Sequence, residues 1–126
     1  MKKKKVIEEK VYNVEYIRNR GIIKYHSSLK EGSQYIYLTK TQIILFNMLL
    51  MNGDNITPRK ELFKAIYKLD DMTRQDDITL NLSMCRLRDR VRPVADIICK
   101  KKVGFKLVFK GVELNEGIDW IRKARD

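Results

Sequence analysis

Apolar residues recur through residues 75–92 at Leu80, Met84, Leu87 and Val91. Gaps of four, three and four residues place them on one stripe of an α-helix. The rest of the turn carries Thr79, Leu82, Ser83, Arg86, Arg88 and Arg90. One helix thus has a side to bury and a side of short polar groups and arginines to present. Asp76 and Asp77 fall in its first turn and Arg88, Arg90 and Arg92 in its last, the charge order that the helix dipole favours. Pro93 ends it, because proline cannot continue the hydrogen-bond ladder.

Other periodicities precede and succeed this helix. From Val11 to Leu38 the pattern is short and β-like, with Asn19-Arg20-Gly21 and Lys30-Glu31-Gly32-Ser33 as turn signals, so three antiparallel strands are expected. A three-stranded sheet this small must pack against later elements of the chain. Thr39 and Gln42 stand at the N-cap and third positions of a capping box. They open a helix with apolar Ile43, Leu45, Phe46, Leu49 and Leu50, which Asn52-Gly53 closes. Thr57-Pro58 reads as a second helix start, Thr as N-cap and Pro at the first helical position, with Leu62, Phe63, Ile66 and Tyr67 as the buried face. After Pro93, Ala95 to Cys99 and Phe105 to Phe109 read as two strands around a Lys100-Lys101-Lys102-Val103-Gly104 turn. Ile118, Trp120 and Ile121 suggest a short helix near the end.

Length and charge sharpen the picture. The 126 residues suffice for one domain with a core. A basic tail is expected over 1–10, a domain over 11–110 and a C-terminal extension over 111–126. The net charge of +11 favours a polyanionic partner, nucleic acid first. No apolar run is long enough to span a membrane, and Glu8 and Glu9 interrupt any leader that Lys2 to Lys5 would begin. A cytoplasmic protein is expected. The tail lysines imply weak phosphate attraction and nothing base-specific.

Little points to catalysis. Cys85 and Cys99 lack companion histidines at metal spacing, since His26 is the only histidine. They read as reduced thiols, Cys99 in the core. His26 reads as a surface strand residue. Asp70, Asp71, Asp76 and Asp77 read as a polar loop and helix start, with no further ligand-rich segment to make a metal site. There is no Gly-rich phosphate loop and no nucleophile–base pair. An enzyme is not expected, and neither a metal nor a cofactor is called for.

The order is sheet, helix, helix, loop, helix, hairpin. Three helices and then a hairpin is the layout of a winged helix-turn-helix, an α+β fold whose third helix enters the major groove while the hairpin acts as a wing. This accounts for the arginines of the third helix and for Lys100 to Lys102 with a single partner. Four segments then resemble one family in order. Leu38-Thr39-Lys40-Thr41-Gln42 resembles its Leu-Thr-x-x-Glu opening, and Thr57-Pro58-Arg59-Lys60-Glu61-Leu62 resembles its Ser-Arg-Glu-x-Leu second helix. Thr79 to Arg88 resembles its Thr-Val-Asp-Val-His-Ile-x-Arg-Leu-Arg helix, and Lys102 to Leu107 its Arg-Gly-x-Gly-Tyr-Arg-Leu wing. This is the DNA-binding effector domain of the OmpR/PhoB response regulators, and the resemblance covers roughly residues 22–109.

The resemblance implies a sequence-specific regulator of transcription on double-stranded DNA. It places Leu82 and Arg86 at base edges, Arg86 at the O6 and N7 of a guanine. It places Thr79, Ser83 and Arg88 at phosphates and Lys101 near the family's wing arginine; Arg90 is expected at a phosphate as well, and Lys100, Lys101 and Lys102 together as the wing, at the minor groove or backbone. It implies a homodimer on DNA repeats and a contact between RNA polymerase and the loop that holds Asp70 and Asp71. Ile78, Ser83, Cys85 and Lys102 depart from the family pattern, which has arginine, histidine, arginine and glycine there. Residues 1–21 leave no room for a receiver domain, so a stand-alone effector domain of phage or plasmid type is expected. The competing readings are a protein-interaction module that binds polymerase or another regulator, and a plasmid or phage replication initiator.

Overall fold

The computed structural model describes residues 9–67 and 74–110. The chain runs through three strands, β1 (Val11–Ile17), β2 (Ile22–Ser27) and β3 (Ser33–Tyr37), then a helix, α1 (Lys40–Asn52). A two-residue strand β4 (Thr57–Pro58) leads into α2 (Arg59–Tyr67) and α3 (Arg74–Val91), and the hairpin β5 (Ala95–Lys100) and β6 (Gly104–Phe109) comes last. Residues 1–8 of the expected basic tail, the loop with Asp70 and Asp71, and the C-terminal extension with Trp120 lie outside the described residues.

The first sheet has the order β1-β2-β3, antiparallel throughout. Its register shifts between Tyr12 and Glu15. Asn13 takes up the irregularity at φ 51°, a left-handed conformation that asparagine tolerates. Strand alternation buries Ile23, Tyr25 and Ile36 and turns Tyr35 and Tyr37 outward. The Tyr16 hydroxyl donates to Asn47 Oδ1 at 2.6 Å, and its ring meets Phe46 edge-on at 5.0 Å. These contacts tie the sheet to α1. Gly21, at φ 65°, lets the β1–β2 turn lie against Ile43, where any Cβ would collide.

Both parts of the capping box are present: Gln42 N–H donates to Thr39 Oγ1, and Thr39 N–H to Gln42 Oε1. Gly53 ends the helix with φ 59°. The second helix starts differently from the sequence expectation. Thr57 and Pro58 form a strand opposite Phe105 and Gly104, and helix geometry begins at Arg59. The Thr57 hydroxyl is buried and accepts from Asn52 Nδ2 at 2.9 Å rather than capping α2. The reason is long-range: β4 adds a third strand to the hairpin, giving a second sheet in the order β4-β6-β5. Gly104 makes this approach possible, because a Cβ there would lie 2.0 Å from the Thr57 carbonyl oxygen.

All the buried apolar residues form one cluster. Leu80, Met84, Leu87 and Val91 are each no more than 2% exposed, so the stripe read in the sequence is the face by which α3 docks. Each such side chain contributes roughly 1.5–3 kcal/mol of transfer free energy. Leu62 and Phe63 are buried as expected, whereas Tyr67 is largely exposed. Cys99 is exposed rather than in the core. Its strand parity is right and its partner Phe105 is buried, but β5 is the edge strand of the β4-β6-β5 sheet and β4 covers only the β6 side.

Candidate nucleic-acid interface

The geometry is set by how α3 and the hairpin meet, and they meet at Arg59. From the first turn of α2 its Nε donates to Asp77 Oδ1 at 2.8 Å, and its Nη2 donates to Asn81 Oδ1 at 2.7 Å and to the Asp77 carbonyl at 3.2 Å. Its guanidinium lies over the Phe105 ring of β6, 5.3 Å from the centroid. Its own N–H donates to the Val103 carbonyl at the hairpin tip. One side chain, 12% exposed, therefore holds together α2, the first half of α3 and the wing. The sequence reading missed it, since nothing local distinguishes this arginine from a solvated one.

The wing tip consequently stands beside the N-terminal half of α3. Lys100, Lys101 and Lys102 are all exposed there. Lys102 adopts φ 66°, the left-handed conformation for which glycine is the usual residue.

The other end of α3 is anchored to the N-terminal sheet. Arg90 Nε donates to the Tyr37 carbonyl at 3.0 Å. Gln42, Arg86, Asp89 and Arg90 line a shallow groove between this end and the start of α1. Arg86 is exposed and has no hydrogen-bond or ion-pair partner among the described residues. Arg88 Nη2 lies 3.7 Å from Cys85 Sγ, and Arg92 pairs with Asp89 at 3.0 Å. At 1.5 Å per residue, Asp77 and Arg86 are about 13 Å apart along the axis. Lysines and arginines therefore bracket the exposed face of α3 from its two ends.

The residues singled out in the sequence divide accordingly. Leu82 is 50% exposed and shares the outward face with Arg86. Thr79 and Ser83 are half-buried on its flank, and Arg88 and Arg90 are exposed. Asp70 and Asp71 lie outside the described residues. Among those described, no group of three or more His, Cys, Asp or Glu gathers as metal ligands, and no helix is long and apolar enough to cross a membrane.

Solved structures share this fold. The DNA-binding domain of the response regulator AdeR, in complex with an intercistronic region, superposes with a TM-score of 0.57 at 17% identity, over 76% of this chain and 94% of that one. The C-terminal domain of NsrR, a lantibiotic response regulator for nisin resistance, gives 0.54 at 22%, over 76% and 91%. The chain has the fold of a response-regulator DNA-binding domain. The OmpR/PhoB resemblance drawn from four short segments is thereby borne out, together with the α+β winged-helix architecture. Among curated proteins, the response regulator GraR of Staphylococcus haemolyticus is 33% identical over 78 residues, which is 61% of this chain and 34% of that protein. GraR of Staphylococcus aureus strain Newman is 31% identical over the same span. The chain thus covers about a third of the length of these relatives. No family model matches it.

Proposed function

We propose that this protein binds double-stranded DNA sequence-specifically and regulates transcription, with α3 in the major groove. The observation that carries the reading is the Arg59 junction, which holds a lysine-tipped hairpin beside an exposed helix whose far end carries Arg86, Arg88 and Arg90. The spacing suits one groove and its two phosphate walls. Leu82 and Arg86 contact bases; Thr79, Ser83, Arg88 and Arg90 contact phosphates; Lys100 to Lys102 reach the minor groove or backbone. The tie from Arg90 to the Tyr37 carbonyl fixes where its guanidinium stands along the backbone. Binding to repeated half-sites as a homodimer completes the reading.

Selection of bound duplexes from a random pool tests it. A defined motif should emerge, and Arg86→Ala should cost about 1–3 kcal/mol and relax the preference at one base pair. Neutralising about six phosphates gives a slope near −5 for log K against log salt. Recovery of the same motif by Arg86→Ala, or of no motif by the parent chain, would refute the assignment.

A further inference from the structure

The ridge of α3 that points farthest from the core is apolar over its first three positions and ends on a carboxylate. At about 100° per residue, Leu80, Met84, Leu87 and Val91 centre the buried face, and the positions opposite are Ile78, Leu82, Cys85 and Asp89. Ile78 is 54% exposed, Leu82 is 50% exposed, and Cys85 is exposed as well. They succeed one another at i, i+4 and i+7. Arginines stand to either side, Arg86 and Arg90 on one flank and Arg88 on the other. A helix face built only for solvent would carry its charges outermost. Here the arginines flank, aliphatic groups with a thiol stand at the crest over residues 78–85, and Asp89, which follows them on it, is paired with Arg92.

A partner for this face is anionic at its walls and apolar along its floor. The major groove fits where thymines lie, because the C5-methyl is the apolar group that its base edges present. The basic flanks and the net charge of +11 select the phosphate-walled partner. The one amide on this part of the helix, Asn81, already accepts from Arg59 through its Oδ1, which occupies half of the donor–acceptor pair that adenine recognition uses. We infer that Ile78, Leu82 and Cys85 read thymine methyl groups, so that the half-site carries thymines opposite the first two-thirds of α3 and guanine at Arg86. A rise of 1.5 Å per residue puts Leu82 about 6 Å and Cys85 about 10 Å from Ile78, two and three base-pair steps along the groove.

This inference rests on the proposed DNA binding, and its test separates the two. The best duplex selected by the full chain is resynthesised with single thymine-to-deoxyuridine replacements, each of which deletes one methyl. Binding should weaken roughly fourfold at two or three positions and stay unchanged at the others. Ile78→Ala should abolish the sensitivity at one of those positions and Leu82→Ala at its neighbour. Both side chains are exposed, so matching thermal melts confirm that the variants fold. Specific binding that ignores deoxyuridine everywhere, or a sensitivity at the Ile78 and Leu82 positions that survives in the doubly substituted chain, overturns methyl reading and leaves DNA binding standing. A pool that yields no preferred duplex overturns both.

Discussion

Replacing Arg59 by alanine should unfasten the β5–β6 hairpin from α3. Three side-chain hydrogen bonds go, to Asp77 Oδ1, the Asp77 carbonyl and Asn81 Oδ1, together with the stacking over Phe105. A net hydrogen bond contributes about 1 kcal/mol, and a cation over an aromatic ring about 0.5–1 kcal/mol at a site like this. The ion pair itself adds less, since Asp77 is 50% exposed and water screens it. The sum is about 4 kcal/mol, which lowers the melting temperature of a domain this size by roughly 10–20 °C. Arg59→Lys should recover only about a third of the loss, because one ammonium cannot reach Asp77 and Asn81 together in the fork geometry of a guanidinium. Denaturant titration of the three proteins gives the free energies. Amide exchange should also quicken selectively over residues 76–82, where the junction holds α3. An Arg59→Ala protein within about 0.5 kcal/mol of the parent, or a lysine variant as stable as the parent, would show that the junction holds nothing in place.

Two further outcomes concern single residues. Lys102→Gly removes a left-handed lysine, so the chain should become about 1 kcal/mol more stable to denaturant while its salt slope on DNA flattens by about 1. Burial pushes the Tyr16 phenol up to about 12, and Arg18 offsets this only partly. The neutral phenol is the form that the fold favours, so its contribution is complete below pH 10 and disappears as pH rises through about 12. The parent should lose stability across that interval relative to Tyr16→Phe, by melting at stepped pH; parallel curves for the two proteins would contradict the assignment.

The elements were legible because periodicity is local. Leu80, Met84, Leu87 and Val91 had to lie on one helical stripe, Thr39 and Gln42 could cap only one helix, and the lysine turn between two alternating runs could be little other than a hairpin tip. Their order was enough to reach the winged-helix layout. The reading failed where a residue answers to something distant. Thr57-Pro58 carries the local signature of a helix start, yet a partner strand nearly fifty residues later makes it a strand. Cys99 has the parity of a core residue and the exposure of an edge strand. Exposure of Ile78 and Leu82 could be guessed from their spacing. That they form the crest between basic flanks needed the buried face to be known.

Apart from β4, which segments become helices and strands, which face of each is apolar, and how basic the whole is were already set by the order of residues along the chain. These properties depend on spacings of two to four residues and on composition. How α3 is held was settled only by folding. The bonds from Arg59 to Asp77 and Asn81 span 18 and 22 residues, and the bond from Arg90 to Tyr37 spans 53. Arginines that look alike along the chain therefore divide into one that fixes the architecture, one that braces the helix end and one left free to meet a partner. That division exists only once the long-range contacts have formed.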